Sequence, residues 1–213
     1  MDYASDLRWL MIYFSDVDVV LKLAKCGFLP LLPELLCVPS DEIQIRFLAS
    51  LRFRLTRPNK KLTKSEYQQH LTQFCDTYSE LPGVADVARQ EELLAGGLDP
   101  GEAMLFAEAE AAGGIVVTGD KRALLAYSKA STKAQRAKIK VVCWEQLLLR
   151  VRRLKGYEGF RQGCCEGLAD DGLLRLTFTN GLATEEEHAV AAIESYLGGI
   201  KAHSGDILAT LDL

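Results

Sequence analysis

The sequence predicts an α/β layer fold with a mostly parallel central sheet. Three observations lead there. Short apolar runs rich in β-branched or large residues stand at Leu7 to Ser15, Ile115 to Thr118 and Lys138 to Cys143. Much longer stretches with helical spacing separate them, and such alternation is what β-α-β crossovers produce. The strand candidates also read as continuous rather than alternating apolar runs, the pattern of strands covered on both faces.

Taken in order, Leu7 to Ser15 reads as a buried strand ending at Asp16. A helix follows through Val19, Val20, Leu21 and Ala24 and stops at Gly27, a plausible C-cap residue. A short helix is expected over Leu29 to Leu36. The 3.6-residue period continues over Asp41 to Leu55 and again over Thr63 to Tyr78, with breaks at Pro58-Asn59 and Pro82-Gly83. Asp86 to Leu94 reads as a helix closed by Gly96-Gly97. Asp99-Pro100-Gly101-Glu102 has the form of a capping box with proline at the first helical position, and opens a helix to Ala112. Gly113-Gly114 ends it, the strand Ile115–Thr118 follows, and Gly119-Asp120 leads into another helix. Lys138 to Cys143 is the expected last strand and Trp144 to Leu154 the helix after it. From Lys155-Gly156-Tyr157 onward the pattern changes. Leu173 to Phe178 reads as a strand, and Thr184 to Glu187 caps a helix through Leu197. The expected organisation is a domain over 1–156 with an extension over 157–213, too short for a comfortable core of its own and therefore docked on the first domain.

Composition excludes several classes. Apolar residues make up 48% and charged residues 25% of 213, which is globular rather than disordered. No 18-residue apolar window stands out as a membrane span, and the acidic start argues against a secretory leader. Six cysteines without a C-x-x-C pair read as reduced thiols of a cytoplasmic protein, Cys164-Cys165 being the pair expected at the surface. Three scattered histidines speak against a histidine-rich metal centre.

The net charge of −4 conceals an asymmetry. Arg46 to Lys64 holds seven basic residues and no acid, and Lys121 to Lys155 holds eleven against Glu145 alone. Cys165 to Leu213 holds nine acids against Arg175 and Lys201. Each run alone reads as a solvated face. Two acid-free basic stretches in one chain also suit phosphate neutralisation, since nucleic-acid binding draws on released counterions. The acidic extension, folded against 121–155, could antagonise such binding or simply complete the core.

Ligands of open α/β sheets gather beyond the carboxyl ends of the strands. The first strand ends at Asp16-Val17-Asp18 and a later one at Gly119-Asp120, while Glu102 lies in the first turn of the helix leading to that strand. Each acid could serve as no more than a helix cap. Gathered together, they would repel one another unless a hard cation such as Mg2+ or Mn2+ sat among them.

These residues carry a resemblance. Leu98-Asp99-Pro100-Gly101-Glu102-Ala103, the alanines at 107, 109, 111 and 112, and Ile115 through Lys121 resemble the second half of PIN domains, with their G-E-A helix and T-x-D strand end. Phe14 to Ala24 resembles that family's first strand and helix start. The likeness spans roughly residues 10 to 150. It implies a three-layer α/β/α fold with a small α/β C-terminal extension, and a divalent-metal nuclease, most often a ribonuclease, sometimes the toxin of a toxin–antitoxin pair. By the same resemblance Asp16, Glu102 and Asp120 are the catalytic metal ligands and Asp18 and Asp99 lie nearby. Nucleic acid, RNA in particular, would be met by Lys121, Arg122, Arg46, Arg52 and Arg54. A regulatory protein partner and a homodimer are further implications. The chain departs from the family in two places. Lys121-Arg122 follows the strand-end Asp120 where a further acid is common, and the acid of the helix after the second strand has no match near Arg46. A PIN-fold module that binds nucleic acid or protein without cleaving is therefore a second expectation. A third is a haloacid-dehalogenase-type phosphatase, on the D-x-D of Asp16 and Asp18 and the Gly-Asp at 119–120. It lacks an expected second acid before Glu145, and any lysine between 65 and 120.

Overall fold

A computed structural model describes residues 12–37, 43–56, 65–83 and 85–211. Five parallel strands form its sheet: β1 (Ile12–Ser15), β2 (Gln44–Phe47), β3 (Ser79–Glu80), β4 (Ile115–Thr118) and β5 (Lys140–Cys143), in the order β3-β2-β1-β4-β5. The helices are α1 (Val17–Lys25), α2 (Leu32–Leu35), α3 (Ser50–Thr56), α4 (Ser65–Thr77), α5 (Val87–Ala95), α6 (Pro100–Ala112), α7 (Lys121–Ala130), α8 (Lys133–Arg136), α9 (Trp144–Gly167), α10 (Gly172–Thr177) and α11 (Glu186–Ser204). They pack in two groups, α1 with α4 and α9, and α5 with α6 and α7, giving the three-layer arrangement that an all-parallel sheet requires. The centre of the sheet is dry, with Phe14, Val116, Val117 and Val141 all fully buried.

The α/β expectation holds, and four local readings are corrected. Of the stretch read as a helix from Asp41 to Leu55, residues 44–47 form β2 and only Ser50–Thr56 is helical; residues 41 and 42 lie outside the described residues, as do Leu7 to Met11 and Thr63. Two periods overlap there. Ile43, Ile45 and Phe47 alternate with Gln44 and Arg46, and pairing of Ile45 with Tyr13 across β1 settles the competition in favour of the strand. The two-residue β3 carries too little pattern to be read from sequence. Residues 173–178, expected as a strand, belong to α10, opened by Asp171, whose carboxylate accepts from the Leu174 N–H at 2.8 Å. The extension is thus helical rather than α/β, apart from one bridge described below.

The change of pattern at 155–157 has a physical counterpart. Gly156 adopts φ 66°, ψ 169°, and breaks α9 into two segments. Beyond it the chain contributes to the same core. Phe160, Leu174, Ile193, Leu197 and Ile207 are nearly or fully buried. Cys164, expected at the surface, is buried, and Cys165 half-buried. Val141 donates to the Ile207 carbonyl and Ala209 to the Val141 carbonyl, each at 2.8 Å, so the chain end pairs with β5 and covers the sheet's edge. Arg136 holds Asp206 at 2.6 Å, and Arg152 pairs with Glu186. The acidic extension therefore does lie on the basic 121–155 segment, and it completes the core there.

Among the described residues no helix is long and apolar enough to cross a membrane.

Because the extension is core, Ile193→Ala, at a fully buried site, should lower the stability of the whole chain by about 3 kcal/mol. Leu182→Ala, at a residue 51% exposed, should change it by less than about 0.5 kcal/mol. Urea unfolding followed by circular dichroism measures both; a small effect at Ile193 would mean that 157–213 folds apart from the sheet.

Candidate functional site at the strand ends

The strand order has one consequence for chemistry. The chain winds outward from β1 through β2 to β3, then returns to place β4 on the other side of β1. The loops after β1 and β4 therefore diverge, and the crevice between them is the switch point where open α/β sheets bind ligands. Asp16 stands at the end of β1 and Asp120 just past β4. Two hydrogen bonds tie the strand ends together: the Asp16 N–H donates to the Val117 carbonyl at 2.9 Å, and the Thr118 hydroxyl accepts from the Asp120 N–H at 3.1 Å. The same hydroxyl donates to Asp16 Oδ2 over a longer 3.4 Å.

Asp16 occupies the N-cap position of α1, yet its side chain makes no capping hydrogen bond. Its carboxyl is pushed up to about 6, first by burial, then by the charges of Asp18 and Glu102; the N–H groups of Val17 and Asp18 offset only part of this. A cap with good geometry would be drawn down, so capping is not what this side chain does. Asp120 is the opposite case. It caps α7, accepting from the N–H groups of Arg122 at 2.7 Å and Ala123 at 3.3 Å, and pairs with the Arg122 guanidinium at 3.0 Å. Burial works to raise its carboxyl, but these bonds outweigh it and hold the group below the ordinary range.

Glu102 arrives from the first turn of α6. The expected capping box is present: Asp99 Oδ1 accepts from the Glu102 N–H at 2.8 Å, and Glu102 Oε2 accepts from the Asp99 N–H at 3.0 Å. Glu102 Oε1 makes no hydrogen bond among the described residues. Partial burial, with the charges of Asp99 and Asp120, raises this carboxyl. Gly101 is needed because α6 starts against the end of β2: a Cβ there would lie 2.9 Å from Leu48 Cδ1.

Asp18, 54% exposed, does not stand free. Lys22, one turn along α1, holds it at 2.8 Å, and the same ammonium holds Asp171 of the extension at 2.9 Å. Neither Lys22 nor Asp171 was expected at the site. The i,i+4 spacing of Asp18 and Lys22 was a usable signal; Asp171, far along the chain, offered none. The glycine of Gly119-Asp120 follows from this pair. A Cβ at 119 would sit 3.1 Å from Lys22 Nζ and 3.3 Å from Asp18 Oδ2.

The basic residues expected to meet nucleic acid divide. Arg122 is at the crevice and 92% exposed. Lys121 leans toward α11, where a Cβ on Gly199 would lie 3.4 Å from its Nζ. Arg52 is spent on structure, donating to the Cys75 carbonyl at 2.6 Å and pairing with Glu80. Arg46 lines a cleft with Gln44, Tyr78 and Ser79 at the β2–β3 side of the sheet. Arg54 is exposed on α3. The remainder of the first basic run, 57–64, lies outside the described residues.

The donor set is all oxygen, which suits Mg2+ or Mn2+. As the side chains stand, no three Asp, Glu, His or Cys groups among the described residues are gathered closely enough to enclose an ion. Magnesium does not require such a cage, since it keeps several waters and binds through one or two carboxylates. Asp16, raised by its acidic neighbours and met only by a distant hydroxyl, fits one of those ligands, and Glu102 Oε1 fits the other. A search of protein-family models, curated proteins and solved structures finds no match to this chain.

Asp16 is charged at a cost in the folded state, so Asp16→Asn should stabilise the protein by about 2 kcal/mol at pH 7.5. The sign follows from the raised value. The gain is full above about 6, shrinks as pH falls through that range, and vanishes below the unfolded value near 4. Thermal unfolding of both proteins between pH 4 and 8 measures it. Equal stability at pH 7.5 would show that Asp16 is not repelled by its neighbours.

Proposed function

We propose that this protein is a divalent-metal-dependent nuclease, with RNA as the favoured substrate, acting in the cytoplasm. The observation that carries the reading is Asp16: a carboxylate at the switch point of a parallel sheet, not used as a cap, and raised by two acidic neighbours from separate parts of the chain. Function at the cost of stability is the mark of such a group. The PIN-like segments of the sequence supply the substrate class. The preference for RNA rests on that resemblance.

In this reading Asp16 and Glu102 hold the ion, with Asp120 beside them, and a divalent ion there provides an activated water and neutralises charge on a phosphodiester. The residues of the chain do the rest. Thr118 fixes Asp16 relative to Asp120 through its hydroxyl. Arg122, exposed at the start of α7, reaches outward to the phosphate backbone. Asp99 keeps Glu102 in place through the capping box.

One observation favours a second reading, a PIN-fold module that binds nucleic acid or protein without cleaving. Two of the acids already have cations supplied by the protein, Lys22 on Asp18 and Arg122 on Asp120.

Purified protein incubated with labelled RNA and DNA oligonucleotides in Mn2+, Mg2+ or EDTA separates the two. Cleavage is expected with metal, none in EDTA, and a loss of at least about a hundredfold in Asp16→Asn and Asp120→Asn. Binding without cleavage would establish the module, and neither binding nor cleavage would return the phosphatase.

A further inference from the structure

Lys22 is the least expected charge at the site, and its surroundings show that it is held rather than mobile. Its side chain is 15% exposed and lies between a half-exposed carboxylate, Asp18, and a buried one, Asp171. Asp171 is itself fixed, because its other oxygen caps α10 through the Leu174 N–H. The Trp144 ring, fully buried, has its centroid 5.9 Å from Nζ. Buried Glu145 adds a further negative charge nearby. On the open side, the absence of a side chain at Gly119 makes room for the ammonium and Asp18 against the end of β4. A positive charge is therefore built into the flank of the crevice, and half of what holds it comes from the C-terminal extension.

A two-ion centre needs carboxylates on both sides of a shared one, with the ions about 3.5–4 Å apart. Here the flank of Asp16 opposite Glu102 is the Asp18 side, and the ammonium fills it. We propose that Lys22 is a resident counter-cation which, anchored by Asp171, keeps Asp18 from a second metal and limits the site to one divalent ion on Asp16 and Glu102. This inference rests on the metal-dependent reading above. Lys22 is a positioning residue in it, since it acts through Asp18, and the extension becomes part of the site's electrostatics.

The experiment is Mn2+ binding to the full chain, by calorimetry and by the electron paramagnetic resonance of free Mn2+. The wild type should bind one ion per chain, and Lys22→Arg should do the same. The double variant Lys22→Gln/Asp171→Asn loses one charge of each sign, so net charge is unchanged and no buried partner is stranded. It should bind a second ion. A merely structural role for Lys22 would lower its melting temperature and leave the count at one. If the double variant folds by near-ultraviolet circular dichroism and still binds one ion, or if the wild type binds two, the proposal is overturned while the metal reading stands. A wild type that binds none overturns both. Should the double variant fail to fold, Lys22→Gln alone decides. It keeps the carboxylates that a metal can bridge, so saturating Mn2+ should raise its melting temperature more than that of the wild type. An equal or smaller rise would sink the idea.

Discussion

The pairing of β1 with β4 is the constraint from which the rest follows. These strands are distant in sequence and adjacent in the middle of the sheet, with Phe14 opposite Val116 and Ser15 opposite Val117. Their register brings Asp16 level with the Thr118–Asp120 turn, and the reversal of winding at that point leaves the space beyond them open. Had β4 joined the far side of β3, Asp16 and Asp120 would stand at opposite parts of the sheet. The hydrogen bonds through Val117 and Thr118 are the local expression of this pairing. They hold a repelled carboxylate in place without neutralising it.

Around that centre the protein handles its charges in two ways. Where a carboxylate serves structure, it is paired. Glu110 lies under Arg89 at 2.7 Å, and the same guanidinium reaches Ser131 at 2.6 Å, joining α5, α6 and the end of α7. Asp171 caps α10 and holds Lys22. Asp16 and Glu102 are left with raised carboxyls instead. The contrast separates them from the other acids more sharply than position in the sequence does, because many acids in this chain open helices.

The extension changes what the boundary near Gly156 means. A break in helix geometry there does not divide two bodies, since the residues beyond it fill the core beside α9 and pair with the exposed edge of β5. Charge complementarity between 121–155 and the acidic end is visible in Arg136–Asp206 and Arg152–Glu186. Exposed pairs of this kind add little stability. They orient the docking, and apolar burial supplies the free energy.

Much of the architecture was legible in the sequence because it is written locally. The apolar runs of β1, β4 and β5 and the Asp99–Glu102 capping box are patterns of neighbouring residues, and so is the glycine break at 156. They read correctly without any partner in view. Asp16, Glu102 and Asp120 were legible as acids at strand and helix ends for the same reason. What failed was whatever depends on a distant partner. Residues 44–47 could satisfy two periods, and only the neighbouring β1 chose the strand. Residues 173–178 looked equally apolar as strand or helix until Asp171 capped them and α11 covered them. No local pattern could show that Asp171 reaches Lys22, or that 207–209 closes the edge of β5. Nor could it show which acids are repelled and which are paired, because burial and charge at a site are sums over groups brought together from the whole chain.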